Sequence, residues 1–370
     1  MPITKYSTWI NIDLTAIEHN VTRLRYLTGT PVMAVIKANG YGHGTVPVAR
    51  AALRAGAQWL GVARLEEALE LRADQITSPI LVLGYTPPER FLEAILEGVS
   101  ITIWGSKQLL SVARAAQDAH AKAKIHLKID TGMSRLGIEP ANALSFAQEI
   151  VNTRDVKFEG IFTHYARADE LDQVSALEQE SIFIQVLGDL ARTGIRPEFV
   201  HAANSAAALF QPNSRFSLVR TGIAIYGLHP SAERHLPVDF QAALEWKAVL
   251  SQVRILPPAS GVSYGHEYIT RDYERIGTVP VGYADGLRRA SGKNQVLVGG
   301  VLVPIVGRVC MDQVSVQLDQ VPNAQAGDEV VIIGSQGESR ITAEQVANRW
   351  GTINYEVVCG LSARVPRFYH

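Results

Sequence analysis

The chain has 370 residues, 47% hydrophobic and 19% charged, enough for a large core in two domains or in one barrel with an appendage. With 35 basic and 36 acidic residues, the formal net charge of −1 excludes the electrostatic footprint of nucleic-acid or acidic-membrane binding. The opening Met1-Pro2-Ile3-Thr4-Lys5-Tyr6 lacks the apolar core of a secretory signal, and no apolar run reaches spanning length. Two cysteines, Cys310 and Cys359, support neither a disulfide framework nor a zinc site, so no metal is expected and the expected compartment is the cytoplasm.

From about Ile10 to Gly227, short apolar strands alternate with amphipathic helices. The predicted strands cover residues 32–37, 59–63, 80–84, 100–104, 124–130, 158–165, 199–204 and 218–226. Helical patterns separate them, such as 64–73, 89–97 and 171–192. Eight strands, each followed by a helix, is the count of a (β/α)8 TIM barrel, with a doubly wound sheet as the alternative. Beyond about Leu244 the chain is rich in valine and isoleucine and broken by Gly and Pro, at 248–256, 276–281, 295–309 and 329–333. That pattern predicts a mostly antiparallel β domain. One helix over 342–350 interrupts it, with Thr342 as N-cap and Glu344 in the first turn. The expected partition is a barrel over 10–240 and a β domain over 241–370, with residues 1–9 packing on the latter and the charged stretch 231–236 as a linker.

The first strand ends in a lysine followed at once by a glycine-rich turn, Val32-Met33-Ala34-Val35-Ile36-Lys37-Ala38-Asn39-Gly40-Tyr41-Gly42-His43-Gly44. A desolvated lysine with a lowered pKa forms Schiff bases with carbonyl compounds; the bland alternative is a lysine that snorkels outward. In a barrel, active sites lie at the C-terminal strand ends, with phosphate often bound after strands seven and eight. Those ends carry Lys37, Lys128 with Asp130, His164, Asn204 with Ser205, and Arg220. Taken singly, His164 reads as a satisfied core histidine, Arg220 as half of an ion pair and Asp130 as the cap of Thr131-Gly132. Together they form polar groups at matching ends of five strands. Ser205 and the amides of Gly222 and Ile223 fall where phosphate is expected, which points to pyridoxal phosphate.

The ordered motifs resemble those of bacterial alanine racemases over nearly the whole length. They are the 34–44 segment above, Asp130-Thr131-Gly132-Met133-Ser134-Arg135-Leu136-Gly137, Thr163-His164-Tyr165-Ala166, Asn204-Ser205, and Arg220-Thr221-Gly222-Ile223 with Tyr226-Gly227. Val262-Ser263-Tyr264-Gly265, Gly282-Tyr283-Ala284-Asp285-Gly286, Cys310-Met311-Asp312, Ile353-Asn354-Tyr355-Glu356 and Arg364-Val365-Pro366-Arg367 follow. The resemblance implies a barrel plus β domain that binds pyridoxal 5′-phosphate. Lys37 is then the Schiff-base lysine and one acid/base, and Tyr264 of the partner subunit the other, in a homodimer with shared sites.

It further implies that Tyr41, Ser205, Gly222, Ile223 and Tyr355 contact the phosphate, beside Asn204. Arg220 faces the pyridine nitrogen with His164 behind it. Arg135 and the Met311 amide meet the substrate carboxylate, and Lys128 is carbamylated. Asp169, Tyr283, Arg289 and Arg308 line the entrance. Ser134 stands where glycine is common, and Gly286-Leu287-Arg288-Arg289 lacks the usual aromatic or proline, a change next to Arg289. The expected reaction is alanine racemisation supplying D-alanine for peptidoglycan. The alternatives are a serine or broader-specificity racemase, or a decarboxylase of the related barrel family, whose cysteine-and-aspartate substrate motifs are absent.

Overall fold

In this computed structural model, which describes residues 5–290 and 292–370, the chain divides into two units. One is Thr15–Gln241; the other joins Ala242–His370 to the stretch before Thr15. The first strand, β1 (Thr8–Ile12), pairs antiparallel with β10 (Leu244–Val249) and parallel with β20 (Arg367–Tyr369). Ile10, Asn11 and Ile12, which the sequence pattern placed with the barrel, therefore hydrogen-bond into the β unit. Of the expected association of residues 1–9 with that unit, residues 1–4 lie outside the described residues.

All eight predicted barrel strands are present: β2 (Val32–Val35), β3 (Trp59–Val62), β4 (Ile80–Val82), β5 (Ser100–Ile103), β6 (Ala123–Lys128), β7 (Val156–Phe162), β8 (Phe199–His201) and β9 (Val219–Thr221). They pair in parallel in the order β8-β7-β6-β5-β4-β3-β2-β9. The ring closes where the Ser217 amide donates to the Val200 carbonyl at 3.1 Å and the Arg220 amide to the Ala203 carbonyl at 2.9 Å. Strands this short and apolar are buried on both faces, as helices outside and side chains inside a barrel require. Met33, Trp59, Leu81 and Leu218 make one interior cluster, with Leu83 and Phe199 against it. Each strand ends one to five residues before the predicted end, so the polar groups read as strand termini stand just beyond the strands, Lys128 and Arg220 excepted.

The β unit holds a ten-stranded sheet whose main path is β11-β14-β17-β16-β15-β18-β10-β1-β20. Its remaining strands are β11 (Gln252–Leu256), β12 (Gly261–Val262), β13 (Tyr268–Ile269), β14 (Glu274–Val279), β15 (Gln295–Val298), β16 (Val301–Val306), β17 (Val314–Gln317), β18 (Glu329–Gln336) and β19 (Ser339–Ile341). β12 and β13 pair separately, and β19 joins β18. The predicted segment 295–309 is a hairpin, because Gly299 (φ 58°) and Gly300 (φ 78°) adopt the left-handed conformation a two-residue turn demands. Two helices interrupt the strands instead of one. Ala343–Trp350 starts as expected, with Thr342 Oγ1 accepting from the Gln345 amide at 3.2 Å, and Asn354–Cys359 follows within four residues. The latter is too short to show helical periodicity.

The stretch 231–236 is not a linker. Ser231 Oγ donates to the Asp169 carbonyl at 2.5 Å, the Leu171 amide donates to Glu233 at 2.8 Å, and Leu236 is buried, so these residues fold onto the barrel.

Candidate active site

At the barrel mouth, Lys37 follows β2 at the start of a strained turn. Ala38, Asn39, Gly40 and Tyr41 have φ of 55°, 55°, 57° and 52°, a full left-handed turn containing three non-glycine residues. Such backbone costs roughly 1–2 kcal/mol per non-glycine residue, so surrounding bonds must hold it. The Gly40 amide donates to the Ile36 carbonyl at 2.9 Å, and the Ala38 amide to Glu67 Oε1 at 2.6 Å. Tyr226 packs its ring 5.0 Å from that of Tyr41 and 4.4 Å from that of His43. The sequence showed a glycine-rich turn here, but its hand and strain are tertiary properties.

Lys128 is buried at the end of β6, its ammonium 5.4 Å above the ring of Phe162. Burial, followed by the charges of Arg135 and Arg220 and a smaller push from Lys37, lowers its pKa to about 8. Arg220, also buried, has its guanidinium pKa lowered by desolvation to about 10. Its Nη2 donates to the carbonyls of Thr163 (2.8 Å) and Ala202 (2.9 Å) and lies 3.3 Å from His164 Nδ1. His164 is held well below the usual imidazole pKa, by burial first and then by Arg220, Arg135, Lys128 and Lys37. The barrel thus gathers Lys37, Lys128, Arg135 and Arg220 into one cationic cluster around His164. Asp130 accepts from the Gly132 and Ser134 amides, both at 3.0 Å, which matches its reading as a turn cap.

Beside this cluster lies a cradle. Asn204 caps the helix Ser205–Phe210, its Oδ1 accepting from the Ala207 amide at 3.0 Å. Ser205 Oγ accepts from the amides of Gly222 (3.0 Å) and Ala224 (3.3 Å). The Ile223 amide opens a 3-10 turn, a position without an intrahelical acceptor. A Cβ at Gly222 would lie 2.5 Å from Tyr41 Oη, so only glycine admits the phenol here. Two helical N-termini, a hydroxyl and a phenol thus lie together after barrel strands seven and eight, and such groups could hold an anion. Asp169 is half-buried farther along the same unit, its carboxyl pKa raised by desolvation.

In the β unit, Tyr264, Tyr283, Arg289, Met311 and Asp312 line a hollow of about 890 Å³. Tyr264 is 70% exposed and Met311 53%, so both are available to a ligand. Arg308 donates to Glu267 at 2.6 Å, and its guanidinium sits 3.1 Å from where a Cβ on Gly265 would be. Tyr355 lies on the helix Asn354–Cys359, which does not line this hollow.

Sequence reasoning missed four residues. Gln179, buried on the helix Val174–Arg192, donates to Thr131 Oγ1 (3.2 Å) and the His164 carbonyl (3.1 Å) and accepts from the Ala166 amide (2.8 Å), pinning the loop that carries His164. His126, Glu159 and His201 are buried polar residues inside strands. Gly160, a glycine interrupting an apolar strand, was the one available signal.

A family profile described as alanine racemase, N-terminal domain, matches residues 12–230, and one described as alanine racemase, C-terminal domain, matches 243–369. The alanine racemase of Desulfovibrio desulfuricans is 43% identical over 364 residues, covering 98% of this chain and 97% of the relative. That of Symbiobacterium thermophilum is 44% identical with the same coverage. The crystal structure of alanine racemase from D-cycloserine-producing Streptomyces lavendulae superposes with a TM-score of 0.95 at 42% identity, over 98% of this chain and 97% of that one. The Bacillus anthracis alanine racemase with bound L-Ala-P superposes at 0.93 and 40% identity, over 98% and 95%. With both halves matched end to end, this chain belongs to the alanine racemase family and is an isomerase that racemises alanine.

Proposed function

We propose that this isomerase uses pyridoxal 5′-phosphate and a two-base mechanism, in a homodimer whose subunits share their sites. The observation that carries the reading is the cradle beside the lysine. Ser205, the Gly222 and Ile223 amides and Tyr41, with Tyr355, suit a phosphate, and Asn204 fixes the helix that presents Ser205. Arg220, within the same cluster, suits a pyridine nitrogen as a donor. Pyridoxal phosphate bound there supplies a carbonyl carbon for covalent attachment of an amine and an electron-poor ring that acidifies the α-hydrogen of alanine.

Racemisation removes the α-proton from one face and returns a proton to the other, so two proton carriers are required. Lys37 Nζ carries the proton on one face and Tyr264 Oη of the partner on the other. Arg135 and the Met311 amide hold the substrate carboxylate. Tyr283, Arg289, Arg308 and Asp169 form the entrance and admit small amino acids. The D-alanine produced serves peptidoglycan synthesis in the cytoplasm; no helix among the described residues is long and apolar enough to cross a membrane.

Lys128 is carbamylated in this reading. Its neutral amine attacks the carbon of CO2, an N–C bond forms, one proton leaves to water, and a cation becomes an anion facing Arg135. An amine with a pKa of about 8 has the neutral fraction this requires.

Incubation of the purified protein with pyridoxal phosphate and L-alanine tests the whole. Conversion to racemate without CO2 release is expected. CO2 release would make it a decarboxylase, and no inversion in the presence of the cofactor would overturn the reading. Since one methylene or hydroxyl is worth only ~1–3 kcal/mol in a small pocket, L-serine should invert more slowly rather than not at all.

A further inference from the structure

Below the cationic cluster, the barrel interior contains a line of polar side chains that the mechanism above leaves unused. Arg220 Nη1 donates to His201 Nδ1 at 2.9 Å, and His201 Nε2 lies 2.9 Å from His126 Nδ1. His126 Nε2 is 3.4 Å from Glu159 Oε2, a long and poorly aligned contact. Glu159 Oε2 accepts from Ser100 Oγ at 2.5 Å, and its Oε1 is 3.6 Å from Lys157 Nζ, which donates to Glu198 at 2.8 Å. His201 and His126 are fully buried and Glu159 is 4% exposed.

The backbone is shaped around this line. Ile125 of β6 pairs with Phe158 of β7, whereas His126 pairs with Gly160, so Glu159 is the extra residue of a bulge. Bulges re-aim side chains and recur beside active sites. A Cβ at Gly160 would lie 2.4 Å from His126 Cε1 and Nδ1, so the glycine makes room for the imidazole. Phe162 stacks on His201 at 4.8 Å, while Trp59 packs edge-on to His126 at 5.5 Å, and these rings keep the line dry.

Arginine has five hydrogens to donate and no acceptor, which sets a direction. His201 accepts at Nδ1, so its hydrogen is on Nε2 and is donated to His126 Nδ1. His126 then carries its hydrogen on Nε2, facing Glu159. Both rings must be neutral to accept and donate at once. Desolvation lowers the pKa of each, with Arg220 adding to the effect. Burial opposes ionisation of Glu159, yet contacts from His126 and Ser100 hold its carboxyl below the usual value.

We propose that Glu159, His126 and His201 are positioning residues for Arg220: two one-way hydrogen bonds through the imidazoles fix its guanidinium and end 3.4 Å from Glu159, which keeps the balancing carboxylate two imidazoles away from the reacting centre. A carboxylate in direct contact with Arg220 would quench the donor where it acts; one relayed through two rings supports the charge without occupying the mouth. The catalytic part rests on the role proposed above for Arg220, whereas the hydrogen-bond direction does not.

The test is nitrogen-15 NMR of the histidine side chains in the purified protein, assigned with His126→Gln and His201→Gln. Both rings are expected as neutral Nε2–H tautomers. A hydrogen on Nδ1 of either ring overturns the chain, whatever reaction the protein performs. In Glu159→Gln, and in Ser100→Ala as a milder second variant, the His126 signals should shift. With alanine, kcat should fall about 10-fold for Glu159→Gln while KM stays within about 2-fold, as for a group acting through another. Unchanged signals or an unchanged kcat in a folded Glu159→Gln protein would also overturn it.

Discussion

Lys128 shows how one buried residue sets a pH dependence. Its folded pKa of about 8 lies below the unfolded value of 10.5, so between those values the unfolded chain binds more protons. In CO2-free buffer, its contribution to stability is therefore least favourable below pH 8 and rises until pH passes 10.5. A shift of this size corresponds to about 3 kcal/mol. Lys128→Met should accordingly be more stable than the parent at pH 6–7, with the gap closing by pH 10–11 in urea titrations. An equal gap at all pH values would show that the ammonium is not desolvated. Adding carbon-13 bicarbonate at pH 8–9 should produce a carbonyl resonance in the parent that Lys128→Met lacks. The lysine was identifiable in the sequence from its place at a strand end. Its cationic neighbours are loop and strand residues brought from elsewhere along the chain, so the pressure on its pKa was not.

At the scale of elements, strands were more legible than their irregularities. An apolar run of four to six residues between glycines announces itself locally. The bulge at Glu159 depends on register with β6, which no single segment encodes. The same holds for the left-handed turn after Lys37, where Ala38, Asn39 and Tyr41 occupy a conformation that local preference disfavours. The helix Ala343–Trp350 was legible because its cap is local, with Thr342 and Gln345 exchanging bonds. The bulge makes its own prediction. Gly160→Ala should destabilise the protein by roughly 1–3 kcal/mol, as overpacking does. Combining it with His126→Ala should recover part of that loss, because the clash is between those two groups. Strict additivity in chemical denaturation would refute the pairing.

For the whole molecule, Lys37 and Tyr264 stand in separate units of the chain. Under the shared-site proposal, Lys37→Ala and Tyr264→Phe should each be inactive alone. Mixed and allowed to exchange subunits, they should recover about a quarter of parental activity, since half of the dimers are mixed and each of those has one intact site. No recovery despite exchange shown by native mass spectrometry would refute it.

The amino-acid sequence alone determined the eight strands, the β unit after residue 244, the lysine at the end of the first barrel strand and the family. All of these are encoded in local apolar patterning or in contiguous motifs. Only the tertiary structure decided that β1 leaves the barrel for the β unit, that residues 231–236 fold onto the barrel, and that Arg220, His201, His126 and Glu159 form one line. Each of those outcomes depends on pairing between distant strands and on burial, which convert ordinary polar residues into partners that must satisfy one another.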